Sequence, residues 1–282
     1  MAESDSSEGS EHSHTEYFAS GTPRFEGTIK KGKYHGPSCK EYRKDNSIRY
    51  KGGFAFGKWD GQGEKYFRNG PPEYIGNFKG GNYHGQGCEY REDGSKRYEG
   101  AFIEGRWEGN GIKYFENGNI QFRAKFSNRN VSGQSCTEFR SDESLRYFGS
   151  FVDGRWEGHG IYYHLNGYHK YEGNFVNNIL NGPGCIEHDQ LGQKIYEGDM
   201  LMGKYTGTGT RFYPNGTPKF IGKLDCGRYI TGEEFREDGT KRYEGPYNSE
   251  RKFEGHGKFY FRSGKLKEEG NYVNGKLEGE DC

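Results

Sequence analysis

Between Tyr98 and Phe115 apolar and polar residues alternate, first in Tyr98-Glu99-Gly100-Ala101-Phe102 and then in Gly109-Asn110-Gly111-Ile112-Lys113-Tyr114-Phe115. A period of two belongs to an extended chain with one buried face, so this stretch predicts two strands. Turn residues stand where such strands need them, at Glu104-Gly105 between the two and at Asn117-Gly118 beyond the second. Matching pairs occur at Asn69-Gly70, Asp93-Gly94, Asn166-Gly167, Asn215-Gly216 and Asp238-Gly239. Each predicts a primed hairpin turn, which requires positive φ at both central residues.

The same unit returns along the chain. An aromatic-x-Gly element stands at Phe25, Tyr50, Tyr74, Tyr98, Tyr147, Tyr171, Tyr196, Phe220 and Tyr243, and Phe122 keeps the register although Ala124 replaces its glycine. The spacing is about 24 residues, which marks a repeat architecture. One such unit has too little apolar surface to fold alone, so neighbours must stack. The expected fold is all-β, an elongated single-layer antiparallel sheet built from stacked β-hairpin repeats over residues 21–282.

Composition sharpens this picture. Hydrophobic residues make up 30 % and aromatics 16 %, so the core must be largely aromatic, and 48 glycines suit many tight turns. Residues 1–20 carry Glu3, Asp5, Glu8, Glu11 and Glu16 with no Lys or Arg, and read as a disordered acidic tail. Units also alternate in kind: Cys39, Cys88, Cys136 and Cys185 take one slot in every second unit, while Trp59, Trp107 and Trp156 mark the units between. Two units of a continuous sheet separate successive thiols by ~19 Å, so the cysteines are expected free, as small buried hydrophobes. The tryptophans are expected to be structural.

Charge leaves one set of candidates. The formal net charge is zero, which argues against a nucleic-acid partner. Within it, Glu-aromatic-Arg recurs and sets out Arg43, Arg91, Arg140 and Arg236, and a second ladder six residues on holds Arg49, Arg97, Arg146 and Arg242. A guanidinium fork suits lipid phosphates or an acidic protein surface, and equally suits a solvated face of ion pairs. These eight arginines are the candidate partner-binding residues. No nucleotide-binding, zincin or hydrolase motif occurs, and His35 with His84, like His159 with His256, recurs with the scaffold. No catalytic residue, cofactor or metal site is therefore expected. No apolar run reaches the roughly 18 residues of a membrane span, and Met1–Glu16 has no hydrophobic signal segment, so a cytoplasmic location is expected.

Tyr98-Glu99-Gly100-Ala101-Phe102-Ile103-Glu104-Gly105-Arg106-Trp107-Glu108-Gly109-Asn110-Gly111 resembles the MORN repeat, Y-x-G-x-F-x-x-G-x-x-x-G-x-G, and the likeness extends from Phe25 to Gly279. The resemblance implies an elongated ribbon used for assembly: a non-enzymatic scaffold or adaptor in a cytoskeletal or ciliary (axonemal) structure, with other proteins as partners. It also allows homodimerisation and a peripheral tether to acidic phospholipid such as phosphoinositide. Asn215 to Gly222 and Arg262 to Tyr272 are similar to bacterial antitoxin-like MORN variants, which implies, as an alternative, a protein that neutralises a bound partner.

Overall fold

The computed structural model describes residues 10–279, which are strands and turns with no helix. The chain divides into two compact units, 1–143 and 144–282. Each is an open antiparallel layer whose strands follow chain order. The first runs from His12–Tyr17 to Gly133–Phe139, the second from Leu145–Val152 to Lys276–Leu277.

Strand register explains the repeat. Tyr98 lies between Glu89 and Lys113 on its neighbours, and two residues along the strand Gly100 lies between Gly87 and Gly111. The tyrosine ring leans over this glycine row. A Cβ on Gly111 would stand 2.3 Å from the Tyr98 hydroxyl, so no larger residue fits beneath the ring. Gly63 under Tyr50, Gly87 under Tyr74, Gly160 under Tyr147 and Gly209 under Tyr196 repeat the arrangement. Trp107 then stacks on Tyr98 at 4.5 Å between centroids, while Phe102 and Phe126 meet it edge-on at 5.2 and 5.1 Å. Offset-stacked and edge-to-face contacts are the favoured geometries of aromatic rings. The result is a core one side chain deep: Tyr50, Tyr74, Tyr98, Tyr147 and Tyr196 are fully buried.

Two kinds of turn join the strands. The two-residue turns inside the hairpins are left-handed at both positions, as at Glu104 and Gly105 (φ +50° and +78°), the primed geometry that matches strand twist, and only the hairpin at Asn248–Lys252 has a longer loop there among the described residues. The second residue of such a turn can also reach back one hairpin: the Gly105 N–H donates to the Tyr83 carbonyl at 2.9 Å and the Gly81 N–H to that of Trp59 at 2.8 Å. The Asn-Gly and Asp-Gly pairs behave otherwise, which corrects the sequence expectation. At Asp93-Gly94 only the glycine is left-handed (φ +83°), within a longer loop closed by the Arg91 N–H on the Ser95 carbonyl. The Asp93 carboxylate instead accepts the Ser95 N–H at 2.8 Å, and Asn117 treats Asn119 likewise at 3.1 Å. These residues are there as side-chain acceptors.

The cysteines do not share a slot. Cys39 pairs with Gly52 and Cys185 with Gly198, so both occupy the glycine row on the packed face, and Cys136 is buried as they are. Cys88 pairs with Glu99 on the opposite face. The cause is one extra residue: the register shifts between Gly36 and Cys39 and between Gly182 and Cys185, and a shift of one moves a side chain through the sheet. The disordered-tail reading also fails at its end. His12–Tyr17 is a strand paired with Pro23–Lys30, held by Glu16 on Arg24 (2.7 Å) and Glu11 on Lys30 (3.0 Å). Low hydrophobicity mattered less than an available sheet edge. Residues 1–9 of the expected tail lie outside the described residues.

Candidate functional site

Because the aromatic residues close one face upon itself, the other face of each unit is left open, and side chains on it form rows set by the register. In the first unit one row reads Ile75, Cys88, Glu99, Ile112, Arg123 on successive strands. Beside it a second row of half-buried tyrosines donates to carboxylates: Tyr42 to Glu26 at 2.8 Å, Tyr114 to Glu99 at 3.1 Å, and Tyr66 to Glu64. Burial, reinforced by those carboxylates, pushes the Tyr42 and Tyr66 phenols up to about 12. Tyr90 is pushed as far by burial and its bond to Cys88. Lys96 with Glu99 (2.7 Å) and Lys40 with Glu26 (3.6 Å) add ion pairs. Over the glycine row lies an open groove of about 810 Å³, lined by Glu99, Asn110, Ile112, Arg123, Lys125 and Gln134 among others.

The second unit has a smaller groove of about 370 Å³ on the same face, lined by Thr231, Glu233, Glu244, His256 and Lys258. Its row begins differently, with Phe148, Ile161, Glu172, Ile186 and Glu197 on successive strands. His188 takes the slot of the open-face tyrosines, and its imidazole is held below its ordinary pKa by burial first, then by His169 and Lys194.

The two arginine series are separated in the structure. Arg43, Arg91 and Arg236 stand at the starts of the longer turns, where each clips two main-chain carbonyls. Arg91 donates to Lys96 and, at 2.7 Å, to Tyr114; Arg236 donates to Lys241 and Tyr260, both at 2.7 Å; Arg43 donates to Ile48 at 2.7 Å and to Tyr66. Each therefore ties its own turn to the end of a strand about 23 residues onward. Arg140 occupies the same turn position, with the Glu143 N–H on its carbonyl. The other series lies on the packed face. Arg97 bonds Glu89 at 2.9 Å and covers the Trp107 ring at 5.6 Å, and the Trp107 indole N–H donates to the second oxygen of the same carboxylate at 2.7 Å. Arg49, Glu41 and Trp59 repeat the set at 2.8 and 2.9 Å. Arg242 and Glu234 do so with Tyr247 in place of a tryptophan. Arg146 covers Trp156 at 5.5 Å.

The role of the carboxylate at the centre of each set, buried at Glu89 and Glu234 and half-buried at Glu41, does not show in the Glu-aromatic-Arg motif that contains it. Its signal was available: Glu41, Glu89 and Glu234 each precede the core tyrosine by nine residues, in alternate units. Burial also raises the Cys136 and Cys185 thiols, which keeps them protonated and poor nucleophiles.

Known sequence families match the chain at seven places. The MORN repeat matches residues 50–71, 74–96, 98–120, 147–167, 171–187 and 196–217, and the MORN repeat variant matches residues 253–274. A comparison with curated proteins finds no match.

Proposed function

The chain belongs to the MORN-repeat family, and from that premise we propose that it is a non-catalytic scaffold that holds other proteins in a cytoskeletal or ciliary assembly through its open face. MORN repeats are membrane- or protein-binding modules. The observation that carries the reading is the asymmetry of the layer. One face is consumed by aromatic packing, while the other presents repeated rows and grooves that an extended partner can follow strand by strand. Affinity purification from cells tests it, with the full chain compared with an Arg123→Glu, Lys125→Glu variant. Structural proteins that copurify with the first and are depleted with the second support the scaffold. Recovery of the same proteins with both, or a transformed small molecule instead of a partner, removes it.

A peripheral contact with acidic phospholipid is a second reading, favoured by the half-exposed guanidinium groups of Arg49, Arg97 and Arg242. Arg43, Arg91 and Arg236 would first have to leave their carbonyls, so salt-sensitive binding to phosphoinositide vesicles should depend on the former three. A partner-neutralising role is favoured only by the variant repeat at 253–274, which covers Arg262 to Tyr272. Capture of a single toxin-type polypeptide, without structural proteins, would replace the scaffold assignment with it.

A further inference from the structure

Just before and after each two-residue turn stand a pair of facing residues on the open face. In the first unit an aliphatic residue at this place stands singly: Ile103 with Arg106 lies between Lys79 with Asn82 and Ser127 with Asn130. Three hairpins of the second unit read instead Val152 with Arg155, Val176 with Ile179, and Leu201 with Lys204. Val152, Val176, Ile179 and Leu201 are all exposed, and Met202, at the third tip, is 71 % exposed. The tips adjoin: a Cβ on Gly203 would stand 3.5 Å from the Ile179 side chain, and the Gly203 N–H donates to the Leu180 carbonyl at 2.9 Å. Water is left against a continuous aliphatic row, which marks an interaction surface.

The charges around this row choose its occupant. Arg155 and Lys204 flank it and are exposed; Arg155 is positioned by a bond to Asn177 at 2.9 Å, and Lys204 has no ion-pair partner among the described residues. The next tip is neutralised by Asp225 on Arg228 at 2.8 Å, so in the second unit the cationic pair Arg155 and Lys204 flanks the apolar row. Arg155 and Lys204 lie four strand spacings apart, about 19 Å, the length of roughly 13 helical residues. The apolar row covers on the order of a few hundred Å², short of the ~800 Å² per partner of a stable dimer. A second copy would also set like charges against each other. We propose that these three hairpin tips dock a short amphipathic segment of a partner protein, apolar at its centre and acidic toward both ends. This rests on the reading of the chain as a protein-binding scaffold and adds to it where a partner's peptide sits and what chemistry it carries.

The test is selection of a displayed library of random 16-residue peptides on the full chain, repeated on Ile179→Glu and Leu201→Glu, two exposed sites whose folding is checked by thermal melting. Expected are peptides with Leu, Ile or Phe at helical spacing and Asp or Glu toward the ends, whose affinity falls at least tenfold on either variant. Arg155→Glu with Lys204→Glu should invert the charge preference to Lys-ended peptides. The proposal is overturned if the selected peptides bind the variants as tightly, or if they are basic. Two further results overturn it by naming another occupant: sedimentation showing a dimer that Leu201→Glu dissociates, or binding to phosphatidylcholine–phosphatidylserine vesicles that Leu201→Glu abolishes. If the peptides fail these criteria while copurification still depends on Arg123 and Lys125, the scaffold stands and only the tip site falls.

Discussion

Around Tyr98 in the first unit and Tyr196 in the second, the packed faces are built alike, while the open faces differ. Each tyrosine is fully buried, each has an aromatic ring stacked on it (Trp107 at 4.5 Å, Tyr205 at 3.8 Å), and each lies over a glycine that a Cβ would block. Each stacked ring also donates to a glutamate, Trp107 to Glu89 and Tyr205 to Glu187 at 2.5 Å. On the open side both units carry an isoleucine beside a glutamate in the central row, Ile112 and Ile161, but the hairpin tips differ, with Lys79 facing Asn82 in the first unit and Val176 facing Ile179 in the second. Packing in a single layer therefore dictates one face residue by residue and leaves the other to be set by whatever it meets.

The largest effect should come from the shared face and should be equal in the two units. Tyr98→Ala and Tyr196→Ala are each expected to cost roughly 3–5 kcal/mol, as for other large buried aromatics, and Trp107→Ala a similar amount. Denaturant titration followed by circular dichroism checks this. A cost under ~1 kcal/mol at Tyr196 alone would mean that the second unit is held by something other than its aromatic core. Gly111→Ala should cost about 1–3 kcal/mol by overpacking against the tyrosine ring.

The open-face row carries opposite pH dependences at its tyrosines and at His188. Tyr42, Tyr66 and Tyr90 have folded pKa values pushed up to about 12, against about 10 in an unfolded chain. Folding favours the neutral phenol, so their contribution is complete below about pH 10 and is lost as pH rises through 12. In the second unit His188 stands in this row with a lowered pKa; folding favours neutral imidazole, and its contribution is present above the unfolded value near 6.5 and lost as pH falls through the folded one. Melting temperatures across pH should show Tyr42→Phe, Tyr66→Phe, Tyr90→Phe blunting the alkaline loss and His188→Phe blunting the acid one. If either substitution set acts at the opposite end of the pH range, the cause assigned to the row is wrong.

How much of this could be read in the chain follows the same division. The packed face was legible because its constraint is periodic: Tyr98 and Gly100 recur at a fixed spacing, and so does the turn at Glu104-Gly105. Whatever hinges on a single residue was not. One extra residue between Gly36 and Cys39 puts that thiol on the packed face while Cys88 stays on the other, and no count of repeats reveals through which face a bulge turns the chain. Asn117-Gly118 looks like a primed turn because the dipeptide is shared with a loop in which the asparagine serves as a side-chain acceptor. The arginines were visible as ladders, but whether a guanidinium meets solvent or a carbonyl 23 residues away is a tertiary fact.

That tertiary fact revises the ranking of the two ladders. As a solvated surface charge Arg91 would be worth under about 1 kcal/mol; with two charge-assisted bonds to main-chain carbonyls, Arg91→Ala is expected to cost about 1–3 kcal/mol. Arg97→Ala leaves the buried Glu89 to Trp107 alone and should cost a comparable amount, partly restored by Glu89→Gln in the same chain, which removes the stranded charge. Arg91→Ala should show no such rescue, since no carboxylate is left behind. Denaturant titration of the double variant separates the clip from the ion pair, and equal rescue at both positions would mean that the two ladders do the same work after all.

The smallest effects belong to the open face, and their smallness is the point. Ile103→Ser in the first unit and Leu201→Ser in the second replace residues that are 52 % and 58 % exposed, so each should change stability by no more than about 0.5 kcal/mol. What should differ is binding: Leu201→Ser weakens capture of the acidic amphipathic peptide, while Ile103→Ser, in a hairpin whose neighbours are polar, leaves it unchanged. A loss of more than about 1.5 kcal/mol at Leu201 would show that the aliphatic row supports the fold of its own unit. The contrast between the two open faces would then be one more packing difference, with no partner needed to explain it.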